Sequence, residues 1–368
     1  MNPSAKAAVL EQFSAPLQLR EFALPDKLEP SAALVRTEMA GICGTDVHLW
    51  KGQLPIALPV ILGHETAGTI EKLGDALTHD WTGQPLKVGD RVTWTSATSC
   101  GRCYYCLEKR QPTRCPHRRA YGIGYRSDHW PHFLGGYAQF HYLRPRCNIF
   151  KLPDDLPTES LIGAGCALIT AIHGIERIGV EWRDNVVIQG AGPVGISALA
   201  VAKSAGAGNV IVIGGPKHRL EVARWFGADH TIDLADVPSA ADRIAAVRQL
   251  TGGYGADAVL ECVGQPEAVV EGMEMCRDGG KYLVLGHYCD SGTVAFNPHV
   301  ITRKQLQVSG SWSSEPRHMK MAIEFLRVSQ RQFPFNAMVT HRFSLEQANE
   351  ALATTANWVS AKSVIVPA

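Results

Sequence analysis

The pattern of apolar and polar residues changes along the chain near Pro157. Before that residue, short runs such as Ala33–Thr37 and Arg91–Trp94 are separated by turn-forming residues, which is typical of an irregular β-rich domain. After it, apolar runs such as Asn185–Gln189 alternate with helical segments such as Ala240–Leu250. Because parallel strands need crossover connections of this length, the second pattern predicts a doubly wound parallel sheet.

The same change of pattern predicts the domain bounds. A chain of 368 residues is long enough for roughly two to three domains. Residues 1–158 are expected to form the β-rich domain and residues 159–310 the doubly wound domain, so the fold class is α/β. Residues 311–368 contain only a predicted helix, Met319–Leu326, and a predicted strand, Ser363–Val366. We expect this segment to return to the first domain because it is too small to fold alone.

A glycine-rich turn follows the predicted strand Asn185–Gln189 and precedes a helix of small residues. Its sequence fits the pattern G-x-G-x-x-G, in which glycines let the backbone approach a pyrophosphate at the N-terminus of the helix. The alternative is an ordinary tight turn in an α/β protein that binds no nucleotide. We favour a dinucleotide site, whose residues are Gly190, Gly192, Pro193, Val194 and Gly195.

The end of the second predicted strand bears on which nicotinamide cofactor fits. The dinucleotide fingerprint has Asp or Glu there, to bind the ribose 2′-hydroxyl. The chain instead has Gly214 and Gly215, followed by Lys217 and Arg219, and all four are predicted cofactor-binding residues. We expect NAD(H). NADP(H) is the alternative, because nothing at Gly214 repels a 2′-phosphate.

Composition and charge exclude several classes of protein. The chain has 36 Lys and Arg against 35 Asp and Glu, whereas nucleic-acid-binding and membrane-surface proteins usually carry a basic excess. Hydrophobic residues make up 45% of the chain, which is enough for a large core, and no continuous apolar run reaches about 18 residues. The N-terminus has no apolar stretch typical of a secretory signal. We therefore expect no nucleic-acid or membrane partner, and a cytoplasmic location.

Four of the ten cysteines lie close together, in a C-x2-C-x2-C-x8-C arrangement within the loop 100–115. Four thiolates can surround one tetrahedral zinc ion, and such a closed site is structural. The alternative is that these cysteines form disulfides, which are typical of secreted proteins and disfavoured in the cytosol. The predicted ligands of this structural zinc are Cys100, Cys103, Cys106 and Cys115.

Cys43 and His64 are a second pair of candidate metal ligands, although each alone would be unremarkable. Two protein ligands hold a catalytic zinc poorly, so a third thiolate or imidazole is needed. Cys166 is the preferred third ligand, but its spacing alone does not distinguish it from Cys147.

The order of the four-cysteine loop, the stretch Gly63-His64-Glu65 and the glycine turn resembles the zinc-dependent medium-chain dehydrogenase/reductase family, in particular its alcohol dehydrogenases. The resemblance runs essentially from end to end. It implies a β-rich GroES-like catalytic domain and a Rossmann domain. It also implies two zinc ions per chain, a nicotinamide cofactor and an oxidoreductase that acts on CH–OH donors.

The resemblance also implies roles for residues near the catalytic zinc. Cys43, His64 and Cys166 match the ligands of that zinc. Glu65 matches a carboxylate that lies beside the zinc and transiently joins it, and Asp46 matches a group that orients the ligand histidine.

Further matches concern the proton and the cofactor. Thr45 and His48 match a proton relay, and Lys362 matches a basic residue near the cofactor pyrophosphate. Two features depart from the family pattern. Gly44 stands where relatives often have a basic residue, and the last cysteine spacing is eight residues where seven is usual. We expect one extra loop residue and no loss of zinc.

The resulting hypothesis is hydride transfer between a secondary, apolar alcohol or its ketone and the nicotinamide cofactor. Aromatic residues in Tyr121–Tyr137 either line a pocket for such a substrate or pack within a long loop. The alternatives are a zinc-free quinone or enone reductase of the same superfamily and a non-catalytic zinc-ribbon interaction protein. The resemblance further implies a homodimer or homotetramer that forms through the edge of the cofactor domain, near Tyr282–Gly286 and Ser309–Trp312.

Overall fold

The computed structural model describes residues 3–367 and divides them into two compact units. The first unit runs to Cys166 and also contains Glu315–Gln330 and the chain from Phe335 onward. The second unit consists of Ala167–Ser314 and Arg331–Pro334. The division by contacts therefore falls after Cys166, eight residues beyond the bound expected at residue 158, and it assigns Cys166 to the first unit.

The secondary structure alternates between short strands in the first unit and strand–helix repeats in the second. The strands of the described chain are β1 (Ser4–Leu10), β2 (Gln18–Ala23), β3 (Ala33–Gly41), β4 (Val60–Ile61), β5 (Glu65–Leu73), β6 (Arg91–Trp94), β7 (Ala97–Thr98), β8 (Arg119–Ala120), β9 (Phe140–Leu143), β10 (Ile149–Lys151), β11 (Asn185–Gln189), β12 (Asn209–Gly214), β13 (His230–Asp233), β14 (Ala256–Glu261), β15 (Cys276–Val284), β16 (Gln307–Gly310), β17 (Val339–Phe343) and β18 (Lys362–Ile365). The α-helices are α1 (Gly44–Trp50), α2 (Tyr104–Leu107), α3 (Thr158–Ile178), α4 (Pro193–Ser204), α5 (Lys217–Trp225), α6 (Ala240–Leu250), α7 (Pro266–Met275), α8 (His299–Arg303), α9 (Pro316–Ser329) and α10 (Ala348–Ala356).

The first unit is built on mainly antiparallel sheets, although β17 and β18 pair in parallel. The larger one has the strand order β10-β6-β5-β3-β18-β17, with β9 also paired to β3, and a smaller one has the order β2-β1-β4. Strand β18, from the C-terminal segment, pairs antiparallel with β3, so that Val364 lies opposite Gly41. This pairing brings Lys362 to the end of β3 from which the chain continues to Cys43.

The second unit contains a six-stranded parallel sheet in the order β13-β12-β11-β14-β15-β16. This is the 3-2-1-4-5-6 order of a doubly wound dinucleotide-binding fold, and it confirms the predicted α/β class. The predicted strand Asn185–Gln189 and helix Ala240–Leu250 match the structure residue for residue. Ligands of such sheets bind at the carboxyl ends of the strands, where the strand order reverses.

The order of the last two strands decides which predicted residues lie at the sheet edge. Strand β15 begins at Cys276, directly after α7, and its pairing with β14 shifts register between Ala256 and Ala258. Since β16 covers β15, Tyr282 is fully buried in the interior of the sheet. Only the Ser309–Trp312 part of the predicted pairing region borders the edge strand.

One helix of the described chain, α3, is long and apolar enough on average to cross a membrane. Most of its length is buried within the protein, and the core helix of a folded domain meets the same criterion. The helix is also broken at Gly165, whose φ of 53° and ψ of −151° are non-helical. Its length and composition are therefore weak evidence of a membrane span.

Several aromatic residues of the Tyr121–Tyr137 segment belong to the hydrophobic core of the first unit. Tyr121, Phe133 and Tyr137 are fully buried there. Trp130, in contrast, is 52% exposed. For the three buried rings, the packing alternative explains the position better than a substrate pocket does.

The imidazole of His141, on β9, is fully buried in the same core. Its ring meets those of Trp94 and Tyr121 edge-on, with centroids 4.7 and 4.9 Å away, and neither ring nitrogen has a hydrogen-bond partner. Burial lowers the pKa of His141 to about 3. The folded protein therefore holds this side chain neutral across the physiological pH range.

His141 is expected to make the first unit sensitive to acid. The unfolded chain protonates this histidine below about pH 6.5, whereas the folded chain does so only near pH 3, so stability is lost as the pH falls between these values. For the variant His141→Phe, the drop in unfolding free energy from pH 7 to pH 5 should be about 2 kcal/mol smaller than in the wild type. Urea unfolding at the two pH values measures this, with the exposed His299→Gln as control. An equal drop in wild type and His141→Phe would contradict the assignment.

Candidate active site

The short helix α1 begins with a cysteine that is fixed by the backbone around it. Cys43 is the N-cap residue, and its sulfur accepts a hydrogen bond from the backbone N–H of Thr45 at 3.5 Å. The Cys43 N–H donates in turn to Oδ2 of Asp46 at 2.9 Å. This reciprocal capping box fixes the Cys43 thiol at the N-terminus of α1, and the Asp46 side chain is fully buried beside it.

The other carboxylate oxygen of Asp46 orients His64. The His64 Nδ1 lies 3.2 Å from Oδ1 of Asp46, which leaves Nε2 as the ring nitrogen for a metal. Burial disfavours a charged imidazole here, but the Asp46 carboxylate and the Cys43 sulfur outweigh it and raise the pKa of His64. Asp46 therefore has the contacts expected of a residue that fixes a ligand histidine.

The break in α3 brings Cys166 to the same place. Gly165 adopts a positive φ, and a Cβ there would lie 2.4 Å from Oε1 of Glu65, so the approach requires glycine. The Cys166 N–H donates to this Glu65 oxygen at 2.7 Å. The sulfurs of Cys166 and Cys43 are then 3.6 Å apart.

Cys43, His64, Glu65 and Cys166 form a candidate metal centre, with their ligand atoms all within 4.8 Å of one another. Two thiolates bound to one tetrahedral zinc, with Zn–S of about 2.3 Å, lie about 3.8 Å apart, close to the sulfur–sulfur distance observed here. The donor set of two thiolates and one imidazole is that of a catalytic zinc with an open fourth position. Cys147, the sequence alternative to Cys166, lies outside this centre, and burial raises the pKa of its thiol to about 12.

Glu65 and Lys362 form a fully buried ion pair behind the metal centre. Burial alone would raise the pKa of Glu65, but the Lys362 ammonium holds it at about 2, and the carboxylate in turn raises the pKa of Lys362. Lys362 was predicted beside the cofactor pyrophosphate. Its observed partner is Glu65, and the pyrophosphate contact stays a prediction.

The four cysteines of the loop 100–115 form a second candidate metal cluster. Cys103 and Cys106 approach to 3.5 Å between sulfurs, and the Cys115 sulfur accepts the N–H of Cys100 at 3.3 Å. Chiefly through a hydrogen bond from the Arg102 backbone, the pKa of Cys100 falls to about 6. No disulfide is present among the ten cysteines, all of which lie in the described chain. The eight-residue spacing is accommodated, and the set fits a closed structural zinc site.

The predicted relay residues both lie on α1. Thr45 and His48 are half-buried and three residues apart, so they share one face of the helix. The His48 Nδ1 bonds to the Oε1 of Gln53. The other ring nitrogen of His48 takes no part in that hydrogen bond.

The glycine turn of the second unit has the form that a dinucleotide site requires. It connects β11 to α4, with Gly192 as N-cap and Pro193 at the first helical position. Gly192, Pro193 and Val194 are only partly buried, whereas Gly195 packs under the turn. The N-terminus of α4 is therefore partly exposed, as the predicted cofactor site requires.

The end of β12 excludes a side chain at the position where the fingerprint has a carboxylate. A Cβ on Gly214 would lie 2.8 Å from the backbone nitrogen of Ala191 in the glycine turn. The Arg219 guanidinium lies near Gly192, with Nη1 3.9 Å from the position of a Cβ there, while Lys217 is exposed. On the neighbouring strand, Oδ1 of Asp233 lies 3.7 Å from the position that a Cβ on Gly215 would occupy.

Sequence reasoning missed two features of the metal centre. It did not identify Gly165, although a glycine immediately before the ligand Cys166 in an apolar run was the available signal. It also missed the pairing of Glu65 with Lys362, for which the sequence contains no local signal.

Comparison with known proteins agrees with this geometry. Residues 29–154 match the family model for the alcohol dehydrogenase GroES-like domain, and residues 193–327 match that for zinc-binding dehydrogenases. A curated relative, 5-exo-hydroxycamphor dehydrogenase from Pseudomonas putida, is 37% identical over 88% of this chain and 88% of its own length. The chain belongs to the zinc-dependent medium-chain alcohol dehydrogenases.

Solved structures extend the likeness over the whole chain. An alcohol dehydrogenase from Thermotoga maritima has a TM-score of 0.94 and 34% identity, covering 100% of both chains. A zinc-binding dehydrogenase from Sinorhizobium meliloti, bound to NADP, has a TM-score of 0.86 and 29% identity over 100% of both chains. The protein is thus a zinc-dependent dehydrogenase that uses a nicotinamide cofactor and a small-molecule alcohol or carbonyl substrate. The zinc-free reductase and zinc-ribbon alternatives are set aside.

Proposed function

We propose that this dehydrogenase interconverts a secondary, apolar alcohol and its ketone, with NAD(H) as cofactor. The observation that carries the proposal is the cluster of Cys43, His64, Glu65 and Cys166. Support for the substrate class comes from the relative named 5-exo-hydroxycamphor dehydrogenase, since that alcohol bears its hydroxyl group on a ring carbon of a largely apolar skeleton.

The proposed catalytic zinc is held by Cys43, His64 and Cys166. When bound, zinc supplies a Lewis acid that favours loss of the hydroxyl proton of the alcohol. Asp46 fixes the imidazole of His64 so that Nε2 faces the metal position. Glu65 holds the backbone of Cys166 in place, and we propose that it also joins the metal transiently.

The proton of the alcohol is proposed to leave through Thr45 and His48. Both lie on α1, the helix that begins at Cys43, which supports a path from the metal centre along one helix face. A histidine is suited to the outer end of the path because it exchanges protons with water near neutral pH.

The relay is tested by the variant His48→Gln. Without a histidine to accept the proton, turnover in alcohol oxidation should fall about tenfold at pH 6–7. The defect should shrink toward pH 10, where hydroxide takes the proton directly. The pH profile of kcat measures this, with the exposed His79→Gln as control. A His48→Gln enzyme that kept full activity at low pH would exclude the relay.

NAD(H) is proposed over NADP(H) because of Asp233. Its carboxylate lies beside Gly215, opposite the end of β12, where it can accept a ribose 2′-hydroxyl and repel a 2′-phosphate. Gly215, Lys217 and Arg219 are proposed to line the adenosine end of the site. Two observations favour the alternative, NADP(H): one relative is bound to NADP, and Arg219 lies near the glycine turn.

An activity screen tests substrate and cofactor together. We expect kcat/KM for 5-exo-hydroxycamphor and cyclohexanol with NAD to exceed that for sorbitol by about a hundredfold or more, because a polyol loses its hydrogen bonds to water in an apolar pocket. The same alcohols with NADP should react more slowly. Preference for sorbitol would overturn the substrate class, and faster reaction with NADP would overturn the cofactor choice.

Three further features complete the proposal. A second zinc per chain is proposed at Cys100, Cys103, Cys106 and Cys115. A homodimer or homotetramer is proposed through the edge strand β16, next to which Trp312 is 39% exposed. Light scattering should then give at least twice the 40.0 kDa of one chain. We propose the cytoplasm as its location, which is supported by the absence of disulfides among the ten cysteines.

A further inference from the structure

Three loops meet at the carboxyl edge of the parallel sheet in the second unit. They follow the neighbouring strands β11, β14 and β15 and begin at Gly190, Cys262 and Leu285. In a sheet of this order, the half that begins with β14 binds the second mononucleotide of the cofactor. In NAD(H) and NADP(H), that mononucleotide carries the nicotinamide ring.

Glu261, the last residue of β14, joins two of these loops through its fully buried carboxylate. Its Oε1 accepts the backbone N–H groups of Val263 and Gly264 at 2.6 and 2.5 Å. Its Oε2 accepts the N–H of Gly286, in the loop after β15, at 3.1 Å. The carboxylate therefore acts as a bridge between two loops that are more than 20 residues apart in the sequence.

The loops also touch each other through their backbones. A Cβ on Gly286 would lie 2.4 Å from the nitrogen of Gly264, so only glycine permits this approach. The loop after β11 joins the same group, since a Cβ on Gly190 would lie 3.0 Å from the carbonyl oxygen of Cys262. Displacement of one loop would consequently displace its neighbours.

The partners of Glu261 are chiefly backbone amides. The imidazole of His287 also faces it, with Nε2 3.8 Å from Oε2 and without a hydrogen-bond partner. A buried carboxylate that accepts several backbone N–H groups fixes their directions, and this is what two facing loops require to keep one conformation.

We propose that Glu261 is a positioning residue for the nicotinamide half of the cofactor: it holds the loops after β14 and β15 in the arrangement to which that half binds. The inference rests on the proposed dinucleotide site at the carboxyl edge of this sheet. It assigns to Glu261 no contact with the cofactor itself.

The variant Glu261→Gln tests the proposal in the zinc-loaded enzyme. The amide keeps one acceptor oxygen but directs an NH2 group at a backbone donor, which should separate the loops. We expect the dissociation constant of NADH, measured by its fluorescence, to rise about tenfold. That of AMP, which occupies only the adenosine half, should change by less than about twofold in calorimetry. NADPH is measured beside NADH to allow for either cofactor.

The matched control is Asp257→Asn, at the amino end of the same strand. Asp257 also accepts a backbone N–H, that of Asn185 at 2.7 Å, but lies at the opposite edge of the sheet. The variant Asp257→Asn should leave the dissociation constants of NADH and AMP unchanged, even if it lowers the stability of the protein. If Glu261→Gln does not fold, Glu261→Asp is used, since its shorter carboxylate cannot reach both loops and should produce the same selective loss.

The outcomes separate this inference from the proposed function. Equal weakening of NADH and AMP, or no weakening of either, would refute the positioning role while leaving the dehydrogenase assignment intact. A wild-type enzyme that binds neither NADH, NADPH nor AMP would instead refute the proposed cofactor site and the inference with it. Selective loss of the nicotinamide nucleotides in a Glu261 variant, but not in Asp257→Asn, supports the proposal.

Discussion

Replacing Cys43 by alanine is expected to lower alcohol turnover at least about a thousandfold, equivalent to about 4 kcal/mol of transition-state stabilisation. Cys43 contributes one of two thiolates in a donor set that has only three strong ligands. Its loss leaves Cys166 and His64, and two ligands hold a catalytic zinc poorly. The Asp46 side chain would keep His64 in place, so the fold should survive the substitution.

The control for this prediction is Cys147→Ala. Cys147 is a thiol of the same unit that lies outside both clusters, and burial raises its pKa. It should lose some stability and keep its zinc and its turnover. If Cys43→Ala retained more than about a tenth of wild-type kcat, the assignment of the catalytic metal centre would be wrong.

The variant Cys106→Ala is expected to have the largest effect on stability. It removes one of four ligands from the closed cluster in the loop 100–115, most of whose residues are exposed. The regular structure of this loop is limited to the four-residue helix α2 and the three-residue 3-10 helix Pro112–Arg114, so the metal supplies much of what holds the loop together. We expect the free energy of unfolding to fall by about 4 kcal/mol and Tm to fall by about 10 °C. One of the two zinc ions per chain should be lost as well.

Catalysis should respond differently to the same substitution. Freshly prepared Cys106→Ala should keep kcat within about threefold of wild type, because none of the four cysteines in the loop 100–115 belongs to the centre at Cys43. Thr113→Ala, in the same loop, controls for changes that spare the metal. An unchanged Tm together with an unchanged zinc content would show that the four cysteines do not bind a structural metal.

The sequence predicts those parts of the molecule whose determinants are local. The four cysteines of the structural cluster lie within 16 residues, so their spacing alone identifies them. The strands and helices of the second unit have clear periodicities because each strand is flanked by its own helix. The first unit is harder to predict: β5 is buried along most of its length, shows no alternation, and is stabilised by pairing with β3 and β6.

The candidate metal centre is assembled from residues that lie much farther apart in the sequence. Cys166 lies 123 residues from Cys43, so only the family resemblance selected it over Cys147. The Glu65–Lys362 pair joins residues 297 apart, and it forms because β18 returns to pair with β3. The sequence predicts that the C-terminal segment returns to the first domain, but neither spacing nor periodicity indicates which residues then pair. The pyrophosphate contact that the resemblance implies for Lys362 stays a prediction.

The most direct test of zinc-dependent catalysis at the Cys43 centre is to follow turnover while zinc is removed in steps with a chelator. Two zinc ions per chain should be present at the start, and turnover should fall in proportion to the loss of one of them. Added zinc should restore it in the wild type but not in Cys43→Ala. Full turnover by a protein from which all zinc has been removed, or a Cys43→Ala enzyme that responds to zinc as the wild type does, would contradict the account.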